Sequence, residues 1–82
     1  MKNYTNDLRS GKLIKRMACD VFEFDDITVY CLKKSGKFAY YITLKGKETA
    51  CFAFCSDAQE DIKELYNKGA FQDKKKRLEE TK

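Results

Sequence analysis

Ile27 to Cys55 reads ITVYCLKKSGKFAYYITLKGKETACFAFC. Three blocks rich in β-branched and aromatic residues are separated by two lysine-flanked glycines, the pattern of strands joined by tight turns. Lys33 to Lys37, centred on Ser35-Gly36, supplies one turn. Lys45-Gly46-Lys47 supplies the other, with Gly46 placed to take a positive φ. Connections this short make the neighbouring strands antiparallel. Upstream, Val21 to Phe24 alternates as well, and Asp25-Asp26 offers turn chemistry. The expected centre is therefore a meander of three strands, or four if the two aspartates form a hairpin turn.

Alternation also assigns faces. Ile27, Val29 and Cys31 share a side with Phe38, Tyr40, Ile42 and Leu44 and with Ala50, Phe52 and Phe54, which is the expected core side. Thr28, Tyr30 and Leu32, with Ala39, Tyr41 and Thr43 and with Thr49, Cys51 and Ala53, fall on the other. That second face is less polar than a solvated face should be. Either a terminal helix covers it or it is a tyrosine-bearing interaction surface.

Helical signals flank the strands. Thr5 or Asn6 can cap a segment running to Asp20, in which Leu8, Leu13, Ile14 and Met17 fall near one face. Gly11 weakens its middle by about 1 kcal/mol, so the regular part is expected from Ser10. Downstream, Ser56-Asp57-Ala58-Gln59 reads as a capping box before a helix with Ile62, Leu65 and Tyr66 on one face, ended by Gly69. Residues 72–82 form a charged helical tail with Leu78 as the only large apolar residue, expected to be solvated. The fold class is α+β: a small antiparallel meander between an N-terminal and a C-terminal helix, with residues 1–71 as one domain and 72–82 as its tail.

The 82 residues leave room for one core, and 43% hydrophobic residues with 5 Tyr and 6 Phe are enough to build it. No stretch approaches the roughly 20 apolar residues that span a bilayer. The N-terminal residues carry no apolar signal-peptide segment, so a cytoplasmic chain with reduced thiols is expected. Cys51 and Cys55, on one strand, would lie roughly 13 Å apart at about 3.3 Å per residue, too far for a shared metal or a disulfide. The four cysteines, Cys19, Cys31, Cys51 and Cys55, read as packing residues, and no metal or other cofactor is expected. With no histidine, no glycine-rich phosphate loop and only an acidic turn at Glu23, Asp25 and Asp26, a non-enzyme is expected.

Binding then becomes the expected occupation, and charge narrows where. The net charge is +4, of which +3 comes from residues 1–20 (five basic, two acidic), while residues 56–82 balance at seven basic and seven acidic. The expected partner-binding residues are Tyr30 and Tyr41 as aromatic anchors, with Lys33, Lys34 and Lys37 as a polar rim. The alternative is a nucleic-acid-binding regulator using Lys12, Lys15 and Arg16 with the run Lys74, Lys75, Lys76 and Arg77. Against that run, Asp73, Glu79 and Glu80 are spaced to pair within a helix. A third possibility is a structural subunit that buries its second sheet face by self-association.

Two resemblances bear on this choice. The order helix, three β runs, helix over residues 5–69 resembles the double-stranded RNA-binding domain. That family's basic final-helix start is here the acidic Ser56-Asp57-Ala58-Gln59-Glu60-Asp61, and its proline-histidine loop is missing, so double-stranded RNA recognition is not carried over. In size, element order and lack of catalytic motifs the chain also resembles small proteins of phages and mobile elements, including anti-CRISPR inhibitors. That resemblance implies a stoichiometric blocker of a nucleic-acid-targeting host protein such as a CRISPR effector nuclease, and the +4 charge makes acidic DNA mimicry a poor fit.

Overall fold

The computed structural model describes residues 8–80, which form β1 (Leu8–Ser10), α1 (Gly11–Met17), β2 (Asp20–Glu23), β3 (Ile27–Lys34), β4 (Lys37–Leu44), β5 (Thr49–Ser56), α2 (Ile62–Asn67) and α3 (Gln72–Glu80). The fold is α+β. All strands join one antiparallel sheet in the order β1-β5-β4-β3-β2. The Asp25-Asp26 link is a hairpin turn, closed by the Phe24 amide on the Ile27 carbonyl at 2.9 Å, so the four-strand form of the meander holds. A fifth strand corrects the expected count. Leu8, Arg9 and Ser10 pair with Cys51, Ala50 and Thr49 rather than opening a helix. Three residues are too few to show alternation, which is why Leu8 fitted a helical face as well.

The turns take the backbone their residues favour. Ser35 (φ 53°) and Gly36 (φ 81°) form a two-residue hairpin with both central residues left-handed, and Gly46 (φ 82°) turns the chain between β4 and β5. Ser10 caps α1, its hydroxyl accepting from the Leu13 amide at 3.5 Å. Thr5 and Asn6, the expected caps, lie outside the described residues. Gly11 then lets the helix start pass against β5, its amide donating to the Glu48 carbonyl. A Cβ at Gly11 would overlap that carbonyl.

Ser56 is not the start of a helix. It still belongs to β5, opposite Phe38, and its hydroxyl accepts from the Ala58 amide at 3.1 Å while donating to Glu60 at 2.7 Å. This local turn uses up the hydroxyl that a capping box would need. The cap is Asp61, whose Oδ1 accepts from the Glu64 amide at 3.3 Å. Gly69 ends the helix as expected, at φ 81°. The Ala70 amide closes on the Leu65 carbonyl at 2.9 Å and the Gly69 amide on Tyr66 at 3.0 Å, a Schellman stop.

Two cores sandwich the sheet. On one face Ile27, Val29, Cys31, Tyr40, Ile42 and Cys51 are buried under Ile62 of α2, Phe71 and Leu78 of α3. Leu78 is only 5% exposed, so residues 72–80 pack on the sheet and the expectation of a solvated tail is corrected for them. Asp26 in the first hairpin ties this layer down, accepting from Tyr66 Oη at 2.5 Å and from Lys75 Nζ at 3.0 Å. On the other face Ile14 of α1 packs with Tyr30, Leu32 and Ala50.

The face assignment of β5 is corrected in part. Tyr41 pairs with Phe52 and Tyr40 with Phe54, which leaves Ala53 as an extra residue, a β-bulge. One extra residue reverses the alternation. Cys51 therefore shares the core face with Ile42, while Ala50 and Phe52 turn to the α1 face with Thr43 and Tyr41. Beyond the bulge Phe54 returns to the expected side, stacked on Tyr40 at 4.7 Å.

Candidate basic apolar groove

Helix α1 has seven residues and contributes one fully packed side chain, Ile14, so it is too short to cover the face it lies on. Ser10 and Gly11 fix its start against β5, and the β3–β4 hairpin extends past it. Between them opens a cleft of about 510 Å³. Leu13, Ile14 and Met17 form its helix wall. Leu32, Ala39 and Tyr41 form its sheet floor, held in place by the β3–β4 register in which Leu32 opposes Ala39 and Tyr30 opposes Tyr41. Leu13 and Met17 are 51% and 52% exposed and, four residues apart on α1, form one continuous apolar patch.

Cations rim this apolar surface. Arg9 at one end and Lys33 and Lys34 at the other line the cleft, and none of its lining residues is acidic. Both lysines are exposed. Lys33 shares the strand face of its partner Phe38, with its ammonium 5.7 Å from that ring centroid on the opposite side of the sheet, so Arg9 and Lys34 are the cations that face the groove. The cleft can therefore seat apolar side chains while its rim meets negative charge.

The residues expected to bind a partner are divided by the structure. Tyr41 and Lys34 come together at the groove, whereas Lys33 carries its ammonium over Phe38 on the other face of the sheet. Tyr41 is half-buried and held edge-on against Phe52, with ring centroids 5.4 Å apart. Tyr30 is buried beneath α1 and touches a smaller cleft of about 240 Å³ on the helix's other flank, with Lys12, Lys15 and Lys47. Lys37 is committed elsewhere, at 2.9 Å from Asp57. Arg9, Leu13 and Met17 were missed by sequence reasoning, because Leu13 and Met17 read as one packed helical stripe with Ile14.

The two basic sets of the nucleic-acid alternative are not brought together. Lys12, Lys15 and Arg16 lie on α1, over one face of the sheet, and Lys74, Lys75, Lys76 and Arg77 on α3, over the other. Lys75 is further bound to Asp26 at 3.0 Å and Glu79 at 3.8 Å, while Lys12 approaches Glu48 at 4.0 Å.

The hydrogen-bond cluster at Asp26 perturbs its members. Donation from Tyr66, with the nearby Lys75 ammonium, holds the Asp26 carboxyl below the usual aspartate range. The same contacts raise Tyr66 and Lys75 above theirs. This is a clamp between a hairpin and two helices. Among the described residues no group of three or more His, Cys, Asp or Glu side chains is arranged to hold a metal ion. No helix of the described residues is long and apolar enough to cross a membrane. No protein-family model, curated protein or solved structure matches the chain.

Proposed function

We propose that the chain is a non-enzymatic interaction protein that seats an acidic, apolar-faced segment of a partner protein in the groove between α1 and the β3–β4 hairpin. The observation that carries this reading is one cleft joining half-exposed Leu13 and Met17, a tyrosine floor and the two rim cations Arg9 and Lys34, with no acidic lining residue. Apolar contact supplies affinity and the cations select partner and orientation. Self-association through the same groove is disfavoured, since a face-to-face pair would bring two sets of Arg9 and Lys34 together. The partner class to test first is a nucleic-acid-targeting host protein such as a CRISPR effector nuclease, which a mobile-element inhibitor of this size would block stoichiometrically.

A synthetic helical peptide with leucine on one face and glutamate on the other tests the groove. Titrated into the isotope-labelled chain, it should shift the amide signals of Leu13, Met17, Ala39 and Tyr41, while a lysine-for-glutamate version should not. Shifts confined to other elements, or equal binding of both peptides, would overturn the assignment. For the blocking role, added chain should reduce target cleavage by the effector at a one-to-one ratio, and Leu13→Asp should restore it. Cleavage unaffected by the wild-type chain removes that effector class.

A second reading, a small nucleic-acid-binding regulator, rests on the exposed Lys12, Lys15 and Arg16 of α1. It predicts a low-salt gel shift that weakens steeply as salt rises, and no shift at low salt rejects it.

A further inference from the structure

Cys19 and Cys31 face each other where the edge strand β2 begins. The Cys19 amide donates to the Cys31 carbonyl at 2.8 Å, and the Cys19 thiol donates to the same oxygen at 3.2 Å. The two sulfurs are 4.0 Å apart. Asp20 also pairs with Cys31, so Cys19 and Asp20 together oppose one residue, and Cys19 sits in a bulge at a strand end. Such a position can shift without breaking the ladder. Cys19 is exposed to solvent whereas Cys31 is fully buried.

We propose that Cys19 and Cys31 form a thiol–disulfide exchange site that closes into an intrachain disulfide on reaction with a low-molecular-weight disulfide such as glutathione disulfide. The Cys19 amide bond to the Cys31 carbonyl and the 4.0 Å sulfur separation bring the two side chains together on the same side of the bulge, the approach a disulfide needs. Closing the sulfur gap to about 2.05 Å takes rotation of the exposed Cys19 side chain and a small shift of the bulge.

The order of steps follows from access. The Cys19 thiolate attacks one sulfur of glutathione disulfide, a Cys19–glutathione bond forms, the original sulfur–sulfur bond breaks, and one glutathione thiolate leaves. Cys31 then gives its proton to solvent and its thiolate attacks the Cys19 sulfur, expelling the second glutathione thiolate. The protein loses two electrons and two protons, and glutathione disulfide is reduced to two glutathione thiols. Burial pushes the Cys31 thiol up to about 11, so Cys19 is the entry point and closure is the slower step. The site stands independently of the groove, which contains neither cysteine.

The test uses the whole chain, reduced, then treated with glutathione disulfide, denatured and alkylated. Trypsin cuts after Arg16 and Lys33, so both cysteines fall in the peptide Met17–Lys33. The expected result is that peptide lighter by two hydrogens and closed to alkylation, restored by dithiothreitol. Cys19→Ser, a change at an exposed position, should abolish the bridge, and Cys55→Ser should leave it unchanged. Both cysteines alkylated, a persistent glutathione adduct on Cys19, or a bridge reaching Cys51 or Cys55 would each overturn the proposal.

Discussion

Gly11 is where the seating of α1 beside the sheet depends on a single missing side chain. Gly11→Ala would gain up to about 1 kcal/mol in helix propensity, yet its methyl group would meet the Glu48 carbonyl. Overpacking against backbone costs about 1–3 kcal/mol, so a net loss of stability is expected in urea denaturation. Ser35 is the opposite case. It holds a left-handed φ of 53° without being glycine, and Ser35→Asn should raise the urea midpoint by an amount worth about 0.5 kcal/mol, since asparagine-glycine suits this turn. Asp26 governs pH dependence. Its folded-state pKa is lowered, chiefly by the Tyr66 hydrogen bond, so its contribution is present above the ordinary aspartate range and is lost as pH falls through the folded value. Asp26→Asn should flatten the acid limb of stability against pH. An unchanged limb would assign acid sensitivity to other carboxylates.

At the scale of elements, legibility tracked how many residues carried each signal. The hairpin turns at Asp25-Asp26, Ser35-Gly36 and Gly46, the stop at Gly69 and the inward residues of β3 and β4 were all readable, because each has its own turn residue or an uninterrupted alternation. In β5 the alternation is genuine but Ala53 breaks its phase, and nothing in Thr-Ala-Cys-Phe-Ala-Phe marks which residue is extra. The bulge is set by pairing with β4, a tertiary fact. The groove was half legible for the same reason: Tyr41 and Lys34 follow from strand alternation, which sends Lys33 to the other face, whereas the exposure of Leu13 and Met17 depends on how little of the sheet α1 can cover. Helix α3 was misread because one leucine among charges looks like a solvated helix. Its burial makes Leu78→Ala expensive, by about 2–5 kcal/mol, a large share of the total for a domain of this size. A thermal melt of the variant little changed from wild type would mean that α3 is not part of the cooperative unit.

For the whole molecule, the sheet separates an α1 side that carries the groove from an α3 side that is closed by packing and internal ion pairs. Substitutions at the exposed groove residues Leu13 and Met17 should therefore affect binding without affecting folding. Leu13→Asp, at a half-exposed site, is expected to change stability by no more than about 0.5 kcal/mol while weakening the acidic peptide by at least about tenfold. Calorimetry on the same sample checks both. The sheet's outline adds a constraint of its own. Strand β3 has eight residues but β2 covers only Thr28 to Cys31, so Leu32, Lys33 and Lys34 overhang as open edge backbone among the described residues. Lysines at such an overhang discourage a second chain from adding its strand there. These lysines thus act as gatekeepers against amyloid-like growth, independently of the binding role proposed for the groove, and a variant that exchanges them for valine is expected to aggregate.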